Sequence, residues 1–265
     1  MVPPRGSLAT VGHVGQLVHC TVAAGVTTIT LDSPANRNAL SRQLVTELNE
    51  ALDRAEQPDV RAVVLTHTPP VFCAGADLKE RATGDDAAQA AGNPMSDAIT
   101  RLGTMRAVTI AAVDGPVRAG GIGLMAACDL VVVNAAVTFA LTEVRIGVAP
   151  AIISVPILAR CGWSTLAAPF LTGEPFDAHA ARDMGLITHV TDDVAATVQR
   201  LVDGVLAGAP NAVAEAKRIL RGGPPDMEEM VALSAALFRS EEAAEGMRAF
   251  AEKRPPRWAA PQEGA

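Results

Sequence analysis

The period of the apolar positions changes several times along this chain, and each change marks a predicted element. Residues 17–21 and 26–31 are β-rich runs split by Ala23-Ala24-Gly25, which predicts a hairpin. Leu40, Leu44, Val45, Leu48, Leu52 and Ala55 then recur at helical spacing, the apolar face of a helix over 41–56. Residues 60–66, 108–113 and 130–133 are short apolar runs without polar alternation. Separated by helical stretches, they predict parallel strands covered on both faces, an α/β arrangement. Helices are predicted at 149–160 and 177–184, the second stopped by Gly185. Beyond residue 192, stripes of Leu, Val, Ala and Met predict helices near 193–207, 210–221 and 227–252. The chain therefore divides into a β/α core, 1–195, and a helical C-terminal domain, 196–265. The apolar stripe of the latter is expected to pack on the core or on another subunit. Residues 84–93, rich in Ala, Gly and Asp, read as a flexible loop, and the Pro-rich last dozen residues are expected to fray.

Composition narrows the chemistry. With 265 residues, 49% hydrophobic and 19% charged, the chain has the apolar content for a full core. A net charge of -7 argues against a nucleic-acid partner. There is no tyrosine, so an oxyanion would have to be held by backbone amides, other side chains or a metal. Cys20, Cys73, Cys128 and Cys161 are widely spaced with no CxxC pair, which favours reduced thiols over disulfides or zinc. The five histidines show neither HxxxH nor HExxH spacing, and no metal site is expected. Residues 1–15 lack the apolar stretch of a signal peptide, and no apolar run reaches the roughly 18 residues of a membrane span. A cytoplasmic location without a membrane partner is expected.

Three segments carry candidate chemistry. Val71-Phe72-Cys73-Ala74-Gly75-Ala76-Asp77-Leu78-Lys79 follows a strand and precedes a short helix. Its small residues let a ligand approach the backbone, although from spacing alone an ordinary strand-to-helix turn capped by Asp77 is the favoured reading. Asp114-Gly115-Pro116-Val117-Arg118-Ala119-Gly120-Gly121-Ile122-Gly123 is a second potential anion cradle, or a site of tight helix packing. Its match to GxGxxA at Gly121, Gly123 and Ala126 is a decoy, because the strand ends too early and the helix is too short for a dinucleotide crossover. Thr142-Glu143-Val144-Arg145-Ile146-Gly147 places a glutamate at a helix start, where it would complement the dipole, or serve as an acid/base in an apolar pocket.

Together with Leu31-Asp32-Ser33-Pro34-Ala35-Asn36-Arg37-Asn38-Ala39-Leu40 and the run Leu171-Thr172-Gly173-Glu174-Pro175-Phe176-Asp177-Ala178, these segments resemble the enoyl-CoA hydratase/isomerase (crotonase) superfamily over residues 31–253, in the family's order. The resemblance implies a crotonase-like spiral of ββα units with a helical C-terminal trimerisation domain, assembled as a homotrimer or dimer of trimers. It implies that the amides of Ala76 and Gly120 form an oxyanion hole and that Glu143 is the catalytic carboxylate. Asn36, Arg37, Ala39, Ala74, Asp77, Leu78, Lys79, Gly121, Gly123, Thr142 and Ala151 are implied to line the site for an acyl-CoA. Phe250 and Lys253 are implied to reach the CoA of a neighbouring subunit. The implied substrate is a coenzyme A thioester and no separate cofactor is needed. Residues 83–95 are expected to shape the acyl pocket.

One departure bears on mechanism. Two-glutamate hydratases carry their first glutamate where this chain has Gly123. With Glu143 alone, the resemblance implies hydration of a 2,3-enoyl-CoA, with isomerisation of the double bond as the runner-up. The run around Glu143 is most similar to a hydratase branch that includes enzymes of branched or glutaconyl-type acyl-CoAs. A catalytically weak family member that only binds acyl-CoA is the alternative of another class.

Overall fold

The computed structural model describes residues 15–82 and 93–259. Residues 84–92 of the expected loop, most of the segment expected to shape the acyl pocket, residues 1–14, and the last six of the residues expected to fray lie outside them. In chain order the elements are β1 (Val18–Ala23), β2 (Val26–Leu31), α1 (Arg42–Ala55), β3 (Ala62–His67), α2 (Leu78–Ala82), α3 (Pro94–Thr104), β4 (Val108–Val113), β5 (Val117–Arg118) and α4 (Gly120–Ala127). There follow β6 (Leu130–Asn134), β7 (Thr138–Ala140), a 3-10 helix (Thr142–Ile146), α5 (Ala151–Leu158), α6 (Trp163–Thr172), β8 (Phe176–Asp177), α7 (Ala178–Asp183) and β9 (His189–Thr191). Four helices end the chain: α8 (Val194–Ala207), α9 (Pro210–Arg221), α10 (Met227–Phe238) and α11 (Glu241–Ala251).

The hairpin forms where Ala24 and Gly25 both take positive φ, the turn whose twist suits paired strands. Helix α1 is capped by Ser41, whose hydroxyl accepts the Leu44 amide, and it buries Leu44, Val45, Leu48, Leu52 and Ala55 as its spacing predicts. The large sheet runs β1-β2-β3-β4-β6-β9, parallel after the hairpin. A small sheet, β5-β7-β8, is extended by parallel bridges between Cys73 and Val117 and between Leu40 and Ala76. Each turn of chain thus supplies a long strand to one sheet, a short extended stretch to the other, and then a helix. That repetition is the expected ββα spiral.

The pattern missed α3 and α6, and the helix predicted at 227–252 is broken at Ser240, which caps α11. The C-terminal residues through 259 are held rather than frayed. Trp258 donates its indole N–H to the Ala207 carbonyl at 3.1 Å, and Arg254 pairs with Glu245 at 2.8 Å. The expected boundary at 195 falls at the start of α8. Val194, Val198 and Val202 of that helix form a core with Val64, Val108, Ile110, Ala112 and Val132, covering one face of the large sheet. The other face carries the main core.

An ion cluster around buried Lys217 and part-buried Asp129 ties α9 to the sheet. Asp129 accepts from Lys217 Nζ and Arg221 Nη2, both at 2.8 Å, and from the Thr109 amide at 2.8 Å. Lys217 is 8% exposed and also donates to the Ala107 carbonyl. Removing Asp129 strands the buried Lys217 ammonium in low dielectric. Asp129→Ala is expected to cost about 3 kcal/mol, read as a lowered denaturant midpoint. A midpoint within error of the parent would show that the cluster contributes little.

Candidate active site

Three backbone segments lie side by side. The Ala74 amide donates to the Arg37 carbonyl at 3.1 Å and the Leu40 amide to the Gly75 carbonyl at 2.7 Å. On the other side, Phe72 donates to Pro116 at 3.1 Å and Arg118 to Cys73 at 2.9 Å. The Ala119 amide then reaches the Ala140 carbonyl of β7 at 3.0 Å. Gly75 has φ +90, and a Cβ built on it would meet the Ala119 Cβ at 2.8 Å, so a side chain there would push the segments apart. Ala119 itself sits at φ 48, ψ -119, a conformation that costs an L-residue roughly 1–3 kcal/mol. The bonds on both sides hold it there.

Gly120 follows as the first residue of α4, where helical amides lack intrahelical acceptors. Among the described residues, neither the Gly120 nor the Ala76 N–H donates to a protein acceptor. Two undonated amides on touching segments suit a developing oxyanion, since backbone dipoles fixed by their own scaffold need little reorganisation.

Glu143 sits in the 3-10 helix just beyond β7, three residues after Ala140. Its side chain is half-buried, and Oε2 is buried with no hydrogen-bond partner. Burial raises its pKa above the usual carboxylate value, opposed by its own backbone amide. A carboxylate that merely complements a helix start would be solvated or paired. An orphan oxygen held partly out of water is suited to moving protons.

The remaining residues named from sequence are placed as follows in the fold. Asn36, Arg37, Ala39, Ala74, Asp77 and Leu78 lie on or beside the paired segments. Asn36 Oδ1 accepts the Ala39 amide at 3.3 Å, and Asp77 Oδ1 accepts the Lys79 amide at 3.0 Å as the cap of α2. Arg37 and Lys79 are exposed, Thr142 is part-buried and Ala151 is exposed at the start of α5. Gly121 and Gly123 are buried packing positions. A Cβ on Gly121 would meet Cys73 Cβ at 2.6 Å, and one on Gly123 would meet Ile153 Cβ at 2.7 Å. Phe250 is 88% exposed on α11, which packs against α10, and among the described residues no bond joins Phe250 or Lys253 to the site segments.

Two residues of the frame were not singled out by sequence reasoning. Asn38 is fully buried with φ 53 and donates to the Thr68 and Val71 carbonyls while accepting the Ser33 amide. An asparagine beside an arginine in a turn is a weak signal for this, because Asn tolerates positive φ. His67, described below, left none. A cavity of about 560 Å³ lies elsewhere, between the large sheet and α8, and holds none of Ala76, Gly120 and Glu143.

Comparison with known proteins bears on the family and the fold. Residues 21–261 match the enoyl-CoA hydratase/isomerase family. An enoyl-CoA hydratase of Mycobacterium tuberculosis is 35% identical over 241 residues, covering 86% of this chain and 91% of that protein. The crystal structure of an enoyl-CoA hydratase from Mycobacterium avium is 43% identical with a TM-score of 0.68, covering 91% and 98% of the two chains. One from Shewanella pealeana is 29% identical with a TM-score of 0.85, covering 91% and 96%.

The raised pKa of Glu143 has a consequence for stability. Its protonated form is favoured in the folded protein, so the contribution is full below the ordinary value of 4.5 and is lost as pH rises through the raised one. Glu143→Gln is therefore expected to be more stable than the parent at pH 7 and equal to it near pH 4. Thermal melts at the two pH values check this, and a variant less stable at pH 7 would contradict it.

Proposed function

The chain belongs to the enoyl-CoA hydratase/isomerase family, and from its site we propose that it adds water across the 2,3 double bond of an enoyl-CoA thioester. The observation that carries this reading is Glu143: a half-buried carboxylate with an unpartnered oxygen, on the segment that follows the strand bonded to Ala119. In the proposed reaction Glu143 takes a proton from water as the water oxygen bonds to C3. The π electrons move toward C2 and the thioester oxygen, where the Ala76 and Gly120 amides stabilise the enolate. Glu143 then returns the proton to C2, so the net change is addition of one water. Each oxyanion donor is worth about 3 kcal/mol in such sites.

Arg37 and Lys79, exposed beside the segments, are proposed to meet CoA phosphates, with Phe250 and Lys253 completing the site of a neighbouring subunit in a trimer or paired trimers. Exposed Met227, Val231, Phe238 and Phe250 on α10 and α11 support that assembly. Double-bond isomerisation is the second reading. It is favoured by Gly123, where Ile153 fills the space a second carboxylate would need. In that reaction Glu143 would carry one proton between C4 and C2 with no water added.

Glu143→Gln is expected to lower turnover by at least a hundredfold while leaving acyl-CoA binding and assembly unchanged. Near-native rates would overturn the reading. Parallel assays with a 2-enoyl-CoA and its 3-enoyl isomer separate hydration from isomerisation, and tight binding without turnover of either would favour a binding protein. Truncation before Met227 is expected to dissociate the oligomer and weaken CoA binding. Sedimentation showing an unchanged particle would refute the proposed role of the helical tail.

A further inference from the structure

His67 closes β3 and is buried, 8% exposed, with its ring edge-on to Phe72 at 5.3 Å. Its Nε2 accepts the Asp114 amide N–H at 3.1 Å, so the ring proton resides on Nδ1, which faces the Thr68 carbonyl at 3.2 Å. Burial lowers its pKa, which keeps the ring neutral and Nε2 an acceptor. Asn38 donates to the same Thr68 carbonyl.

From this point two strands of backbone run together without a gap. Gly115 is pressed on the next turn, where a Cβ would meet the Pro70 carbonyl oxygen at 2.5 Å and His67 Cε1 at 3.1 Å. Phe72 then bonds Pro116, Cys73 bonds Arg118, and Gly75 meets Ala119. Ala76 and Gly120 are the residues that follow this contact on the two segments. His67 is the first contact in this series and the only one made by a side-chain hydrogen bond to the opposing backbone. Its bond to Asp114 pins the 114–120 segment where that segment leaves β4.

We infer that His67 is a positioning residue for the oxyanion hole: its ring sets the register between the segment bearing Ala76 and the segment bearing Gly120. This rests on the reading that those two amides hold the thioester oxygen. His67 touches no reacting atom, so its loss acts on the transition state through hole geometry, where misplacement near 1 Å costs up to about a hundredfold.

Three variants test it. His67→Gln keeps an acceptor within reach of the Asp114 amide. His67→Asn keeps a donor for Thr68 but is too short to reach Asp114. His67→Phe keeps the packing and loses both bonds. The expected result is a loss of roughly tenfold or more in kcat for the Asn and Phe variants, with KM within about twofold and Gln near the parent. The ultraviolet band of enolised acetoacetyl-CoA bound to each protein, which reports carbonyl polarisation, is expected to weaken in the same order. If the Phe variant does not fold, the contrast between Asn and Gln decides. Equal kcat and equal enolate bands across the variants would overturn the inference. So would losses that follow Tm alone and are not restored by Gln. Glu143→Gln assayed alongside separates the two levels. Its retention of native turnover would fault the catalytic reading, whereas an inactive Glu143→Gln beside unaffected His67 variants would fault only the role given to His67.

Discussion

The site depends on one close approach: the backbone at Gly75 lying against the methyl group of Ala119. At that point a missing Cβ on one side meets a strained residue on the other. The two segments belong to successive turns of the spiral and lie beyond the ladder that fixes β3 against β4. The His67 bond and the short bridges of the small sheet carry that register on to them. They convert a repetitive scaffold into two amides with a defined separation, and the unfavourable conformation of Ala119 is sustained because neighbouring hydrogen bonds over-determine it.

The electrostatics follow from the same arrangement. A backbone donor carries no net charge, so the proposed hole asks nothing of overall composition and is compatible with a chain of charge -7 and no tyrosine. Glu143 is the complementary case. Its carboxylate gains proton affinity from partial burial rather than from a neighbouring charge, as the causes of its shift show. Donor pair and carboxylate are therefore tuned by different means, one by bonding geometry and the other by solvent exclusion.

Much of the fold was legible where periodicity was strong. Helix α1 appears with its cap, and β4 spans the predicted residues, because each has a clear face or a continuous apolar run. Helix α3 escaped because Pro94 and Asn93 read as loop residues, yet Asn93 caps the helix and Pro94 opens it. The break at Ser240 was hidden by apolar residues on both sides of it. In the site, Gly120 and Glu143 were visible through a family resemblance rather than through any local pattern. Spacing had left each open to a plain structural reading. Asp77 shows why those readings were reasonable, since it does cap a helix. The positive φ of Ala119 and the bond from Asp114 to His67 could not be read at all. Both arise from contacts between segments remote in sequence, which no periodicity records.

The contact between Gly123 and Ile153 also constrains how sequences of this kind can diverge. With Ile153 pressed against the glycine, introducing any side chain at 123 requires the α5 residue to shrink in step, because the first methyl group alone collides with it. The reverse order, trimming Ile153 first, opens a void in the packing between α4 and α5. Either single step crosses a less stable intermediate, so a chain that has settled into this packing is separated from a two-carboxylate site by a barrier of two coupled changes. The number of acidic groups at the site is thus a property inherited through helix packing rather than one adjusted a residue at a time.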